Sequence, residues 1–151
     1  MQEPTAVEKM TINAPASDIW SYRLDFLNLC DYNPGVSNLV QVEQGDSAGV
    51  GARYRFDLDS GGDPHPVELW VTDTIESQSV SVSMKSGLNA SEIFSVKSSG
   101  DNESEVTLSL WLELPPNLDL SLVEALSKSG KDQLKIELEL IKEILESRQS
   151  R

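Results

Sequence analysis

From Val36 onward short runs follow one another in which apolar residues recur at every second position, and after Leu118 they recur at helical spacing instead. Tyr54, Phe56 and Leu58 form one such set, as do Val67, Leu69 and Val71, then Val80, Val82 and Met84, then Phe94 and Val96, and last Val106, Leu108, Leu110 and Leu112. A period of two is the mark of a strand with one buried face, and turn residues stand between the sets. In the C-terminal segment Leu134, Leu138, Ile141 and Leu145 fall on one stripe, with Lys135, Glu139, Lys142 and Glu146 opposite. That is an amphipathic helix. The pattern predicts an α+β chain, an antiparallel meander closed by one long C-terminal helix.

The N-terminal part adds two elements to this plan. Residues 6–13 read as a first strand, and APASDIWSYRLDFLNLCDY then takes helical spacing, with Pro15 and Asp18 suited to a first turn. Two short helices broken near Asp25 fit, and NPG at 33–35 ends them. SSGDNESE at 98–105 reads as a polar hairpin loop, and no internal repeat is visible. A length of 151 residues suits a single domain, 1–151, large enough for a core or a closed cavity.

Composition removes several classes of function. Twenty-five acidic against twelve basic residues leave a formal net charge of −13, which repels phosphate backbones and anionic lipid, so no nucleic-acid partner is expected. No stretch approaches the ~20 apolar residues that span a bilayer, and MQEPTAVEKM lacks the pattern of a signal peptide, so neither membrane insertion nor export is expected. Cytoplasmic location is the default. One Cys and one His give no metal-ligand spacing and no intrachain disulfide, and a Cys30–His65 dyad would require the fold to bring the two together. Phosphate-binding loops are missing too, because GVG at 49–51 precedes a strand-like stretch. No cofactor or metal is expected.

Parity places individual side chains. In GVGARYRFDLDSGGDPHPVELW, residues 49–70, Tyr54 and Phe56 face the core, so Arg53 and Arg55 point outward. Setting Phe56 opposite Val67 pairs Arg55 with Glu68 and Arg53 with Trp70, an outer ion pair and a cation–π contact rather than an anion site. His65, between two prolines at the end of a Gly-rich loop, reads as a solvated loop residue. A turn at Gly87 to Asn89 would set Val80 against Val96, Val82 against Phe94 and Met84 against Glu92. Matching Val96 to Val106 then puts Lys97 beside Glu105 outside and Glu92 beside Leu110 inside. Glu92 thereby shares an apolar row with Met84 and Leu110, unless the strand begins after it or a bulge turns it outward. An inward Glu92 would be a raised, neutral carboxyl group able to act as a general acid or base.

The order of these elements resembles a family. A first strand, INAPASDIWSYRLDFLNLCDYNPGV, then GVGARYRF, a run of strands and a long final helix are similar to the SRPBCC or START-like superfamily, which includes polyketide cyclases, lipid-transfer domains and birch-pollen-allergen-like proteins. The most specific matches are Ala14-Pro15, Ile19-Trp20, Asp25, Pro34, Val36 and Gly49-Val50-Gly51-Ala52, with Asn33 where the family usually has Trp. The resemblance implies a helix-grip fold, with a seven-stranded curved antiparallel sheet wrapped around the final helix and a hydrophobic cavity between them. These are scaffold motifs, so no catalytic residue carries over.

The residue-level reading agrees on an apolar interior of Tyr54, Phe56, Leu69, Val71, Met84, Phe94 and Leu110, closed by Leu122, Leu126 and Leu134, with Tyr32 near the entrance. Gly130 interrupts the final helix and leaves room for a ligand or a kink. The favoured function is binding or transport of a small hydrophobic or amphipathic molecule. The alternatives are a cyclase or dehydratase-like enzyme using Glu92 and a protein-interaction module presenting Trp70 and Trp111. Ile136, Leu140 and Ile144 widen the apolar arc of the last helix, which predicts either burial under the short helices or a weak homodimer.

Overall fold

The computed structural model describes residues 3–60 and 62–149. The remainder of the expected domain, 1–151, namely residues 1, 2, 61, 150 and 151, lies outside the described residues. Strand β1 (Ala6–Ile12) leads into α1 (Ala16–Leu24), a single 3-10 turn (Phe26–Asn28) and the short α2 (Leu29–Tyr32). Six strands follow: β2 (Val36–Glu43), β3 (Arg53–Ser60), β4 (Asp63–Ile75), β5 (Ser79–Lys85), β6 (Asn89–Gly100) and β7 (Glu103–Leu112). Helix α3 (Leu120–Gln149) ends the chain. All strand pairs are antiparallel, and the seven-stranded order β1-β7-β6-β5-β4-β3-β2 is a meander whose two ends are β1 and β2. This is the helix-grip fold. Val80, Val82, Phe94, Val106 and Leu108 bury one face of the sheet together with Leu134, Leu138, Ile141 and Leu145 of α3.

Local chemistry explains the joints. Pro15 precedes the first turn of α1, where a missing N–H is harmless, and Asp18 there faces the positive end of the helix dipole. The Asp25 side chain accepts the Leu27 N–H at 3.1 Å, so the break between the helices has its own cap. In the 44–52 loop the Asp46 carboxylate accepts the Ala48 and Val50 N–H groups, while Gly49 and Gly51 adopt φ of 89° and 92°. A side chain at either position would be strained, which accounts for the Gly-Val-Gly-Ala run as scaffold.

The β3–β4 and β6–β7 registers match the parity argument, with Phe56 opposite Val67, Val96 opposite Val106 and Glu92 opposite Leu110. Four details differ. The β5–β6 hairpin turns on Ser86 to Leu88, so Val80 faces Phe94 and Glu92 lies between Val82 and Leu110 rather than between Met84 and Leu110. The turn centres on Gly87, whose φ of 86° suits glycine, and a slip of two residues keeps every side chain on its expected face. The ion pair to Glu68 comes from Arg53, not Arg55, because sheet twist brings the diagonal neighbour within reach while the Arg53 guanidinium also covers Trp70 at 4.9 Å. The expected 98–105 loop shrinks to the turn Asp101-Asn102, since the serines and glutamates on either side extend β6 and β7. Exposed His65 stands within β4 opposite Leu58, not in a loop.

Candidate ligand cavity

Helix α1 buries Ile19, Tyr22 and Arg23, an i, i+3, i+4 stripe with a guanidinium in it, and Phe26 of the 3-10 turn is buried with them. Arg23 is only 2% exposed. Its Nη1 donates to the Tyr32 hydroxyl at 2.5 Å and its Nη2 to Glu92 Oε2 at 3.0 Å. The guanidinium carbon lies 4.8 Å from the ring centre of Phe26, 5.3 Å from Tyr32 and 5.4 Å from Phe94. Its Nε has no hydrogen-bond partner. Three ring faces and one carboxylate thus hold a buried charge, and burial is the setting in which cation–π attraction is strongest.

Two buried carboxyl groups share this cation. Glu92 comes from β6 and Glu137 from α3, at 9% and 5% exposure. Burial raises the Glu92 carboxyl above the usual range, and the Arg23 guanidinium works against that shift. Burial and the neighbouring Glu92 charge push Glu137 up to about 8, opposed by Arg23 and by the Gln133 side chain. Burial also raises Tyr32 to about 12, against the pull of Arg23. An arginine stays charged in a protein, so one carboxylate must balance it; Glu92, in direct contact, is that partner, and the proton resides on Glu137.

Arg23, Glu92 and Glu137 form one wall of a cavity of about 200 Å³. The rest of the lining is mainly apolar, with Phe56, Leu69, Met84 and Leu110 from the sheet and Phe26 and Leu29 from the helical segment, and it also includes Asn33, Ser86 and Gln133. The cavity continues into an outer groove of about 530 Å³ between Asn33–Gly35 and α3, with Glu92, Leu110 and Glu137 lining both spaces. Leu126, Gly130 and Leu134 border the groove.

Of the residues expected in the interior, Phe56, Leu69, Met84 and Leu110 form the cavity wall, and Leu126 and Leu134 border the groove. Tyr54, Val71 and Phe94 are buried in the surrounding core, Tyr54 tilted against Phe26 at 5.7 Å. Tyr32 does not stand at an entrance: it is fully buried and holds Arg23. Leu122 does not close the interior, because the first turn of α3 leaves it 47% exposed. Ile136 is likewise exposed, whereas Leu140 and Ile144 pack against the core. Trp70 and Trp111 are half-buried rather than exposed. Arg23 and Glu137 are the two residues that parity and composition passed over. Glu137 sits inside an apolar helical stripe, between Leu134, Leu138 and Ile141, and a charged residue in such a stripe is the signal that would have found it.

An apolar hollow between a curved sheet and a long helix, with one buried polar wall, defines a class that the sequence comparison confirms. The chain belongs to the family of polyketide cyclases and dehydrases and lipid-transport proteins, whose model matches residues 3–146. Among solved structures it is similar to a START superfamily protein from Mycobacterium smegmatis, at 15% identity and a TM-score of 0.77, covering 93% of this chain and 96% of that one. The Zhui aromatase/cyclase from a Streptomyces species gives 13% identity and a TM-score of 0.75, covering 94% and 93%. The di-domain ARO/CYC BexL gives 16% identity and a TM-score of 0.75, covering 95% of this chain and 46% of that one. No curated protein matches the sequence. Among the described residues no helix is long and apolar enough to cross a membrane.

Proposed function

We propose that this chain binds and carries a small, largely apolar molecule in the cavity between the sheet and α3. The observation that supports this most is the cavity itself: mainly apolar, with its charged groups gathered at Arg23, Glu92 and Glu137, and open to the outside through a groove. Such a shape removes an apolar body from water while one polar wall orients it. Placing the site here makes Phe56, Leu69, Met84 and Leu110 the contacts for the apolar body and Glu92 and Glu137 the groups facing its polar end. A second reading, proton-transfer catalysis of the cyclase or dehydratase kind, is favoured by one specific feature, the raised Glu137 carboxyl group on the same wall as the Arg23 guanidinium.

The test is to fill the space. Ala90 lines the cavity from β6, and Ala90→Phe would occupy it. The neutral dye N-phenyl-1-naphthylamine should brighten with the wild-type protein and stay dark with a folded Ala90→Phe variant. Equal brightening with both would place dye binding elsewhere and remove the support for a cavity function.

A further inference from the structure

The polar wall holds two carboxyl groups and a single base. Among the described residues that line the cavity and its groove, Arg23 is the sole basic one, and both of its terminal nitrogens are already engaged, one by Tyr32 at 2.5 Å and one by Glu92 at 3.0 Å. Glu137 reaches the same space from α3 with no cation of its own, and Asp59 of β3 adds a further acid at the groove. An incoming carboxylate would pass Asp59, meet two carboxyl groups and find a single cation whose charge is already paired with Glu92, although its Nε–H has no partner. We propose that the cavity selects a neutral hydrogen-bond acceptor, the carbonyl of a ketone, ester or quinone, which takes the proton of Glu137, and that it excludes carboxylates such as free fatty acids.

This rests on the cavity-binding reading above and adds the chemistry of the head group. The charges balance only in that arrangement. With Arg23 positive and Glu92 negative, a neutral Glu137 leaves the wall without net charge, so a neutral guest adds none. A bound carboxylate would leave an unpaired negative charge in a medium that cannot solvate it. The groups that face Glu137 are Arg23 from α1, Tyr32 from α2, Glu92 from β6 and its own helix neighbour Gln133. Above its titration point near 8 Glu137 loses its proton, and the donor for the carbonyl disappears with it. Tyr32 stays protonated there, so the loss traces to the carboxyl group.

Three probes of one chain length separate the outcomes: octan-2-one, octanoate and octylamine, each titrated calorimetrically into the wild-type protein at pH 6.5 and 9.5. The ketone should bind at pH 6.5 and weaken by about tenfold for each pH unit above the Glu137 value, because only the protonated form supplies the donor. Octanoate should bind at least about tenfold more weakly than the ketone at pH 6.5, a single tenfold step being the least that one unpaired buried charge implies. Glu137→Gln keeps an N–H donor and cannot ionise, so it should hold the ketone equally at both pH values. Octanoate binding as tightly as the ketone, octylamine binding with proton release, or a flat pH profile for the ketone would each overturn the head-group assignment while leaving the cavity in use. Binding of none of the three would sink the cavity reading and this inference with it. If Glu137→Gln failed to fold, the wild-type pH profile and probe order would still decide.

Discussion

Glu137 occupies a helix face that α3 buries against the core, and its proton has a consequence for stability as well as for binding. Its folded value of about 8 lies above the 4.5 expected for an exposed carboxyl group, so the folded chain holds this proton more tightly than the unfolded chain. The stability that the proton contributes is complete below pH 4.5 and is lost progressively as pH rises to about 8. Glu137→Gln should therefore flatten the stability profile across that window and make the protein more stable than wild type by a few kcal/mol at pH 8 and above. Urea unfolding of both proteins at pH 5 and 8.5 measures this; parallel losses would show that Glu137 is ionised throughout. At this scale the sequence was legible where two-residue alternation applied, because Glu92 stands in a row with Val82 and Leu110 and parity alone turns it inward. It was opaque for Arg23, because a basic residue in the last turn of a short helix also fits the helix dipole, and SYRL reads equally well as a solvated end.

Elements meet where small residues let them. A side chain added at Gly130 would meet Leu110 Cδ2 at 3.3 Å and the Ala6 Cβ at 3.5 Å, so the glycine sets how closely α3 approaches β1 and β7. Gly130 also borders the outer groove, so close approach to the sheet and room beside a ligand path meet at this one position. Gly130→Ala gains about 1 kcal/mol in helix propensity and presses on Leu110, so the net change should stay within about 1 kcal/mol. Gly130→Val adds two more methyl groups, one of them driven into the sheet, and should destabilise by about 2 kcal/mol in chemical unfolding. A Val variant as stable as wild type would mean that the helix can lift freely. The sequence carried the elements well, since a change of period from two to 3.6 locates α3 and the strands without reference to anything distant. Pairing was less legible. The β5–β6 slip arose because two adjacent three-residue turns, Ser86 to Leu88 and Gly87 to Asn89, preserve the same faces, and only the φ of Gly87 distinguishes them.

The whole molecule carries a formal charge of −13 on 151 residues, while its interior wall is neutral by balance. Most of that charge lies on the surface, where like charges repel across distances shorter than a Debye length of ~10 Å at 0.1 M salt. Attractive pairs oppose this: Lys128–Asp132, Lys135–Glu139 and Lys142–Glu146 along α3, and Arg53–Glu68 on the sheet. Each exposed pair contributes at most ~1 kcal/mol and is screened by the same ions. The excess of acid has no such limit, because each surplus carboxylate interacts with many others. Salt should therefore relieve more repulsion than attraction. Raising NaCl from about 10 to 200 mM, a range over which the screening length falls from ~30 Å to under 10 Å, should raise Tm by about 3 °C, equivalent to roughly 1 kcal/mol for a chain of this size. The same self-repulsion works against two copies meeting through Ile136, so any homodimer should strengthen with salt. Differential scanning calorimetry and sedimentation over the same salt series read the two effects separately. A Tm that falls as salt is added would show that the ion pairs of α3, not the acidic excess, dominate the surface electrostatics of this fold.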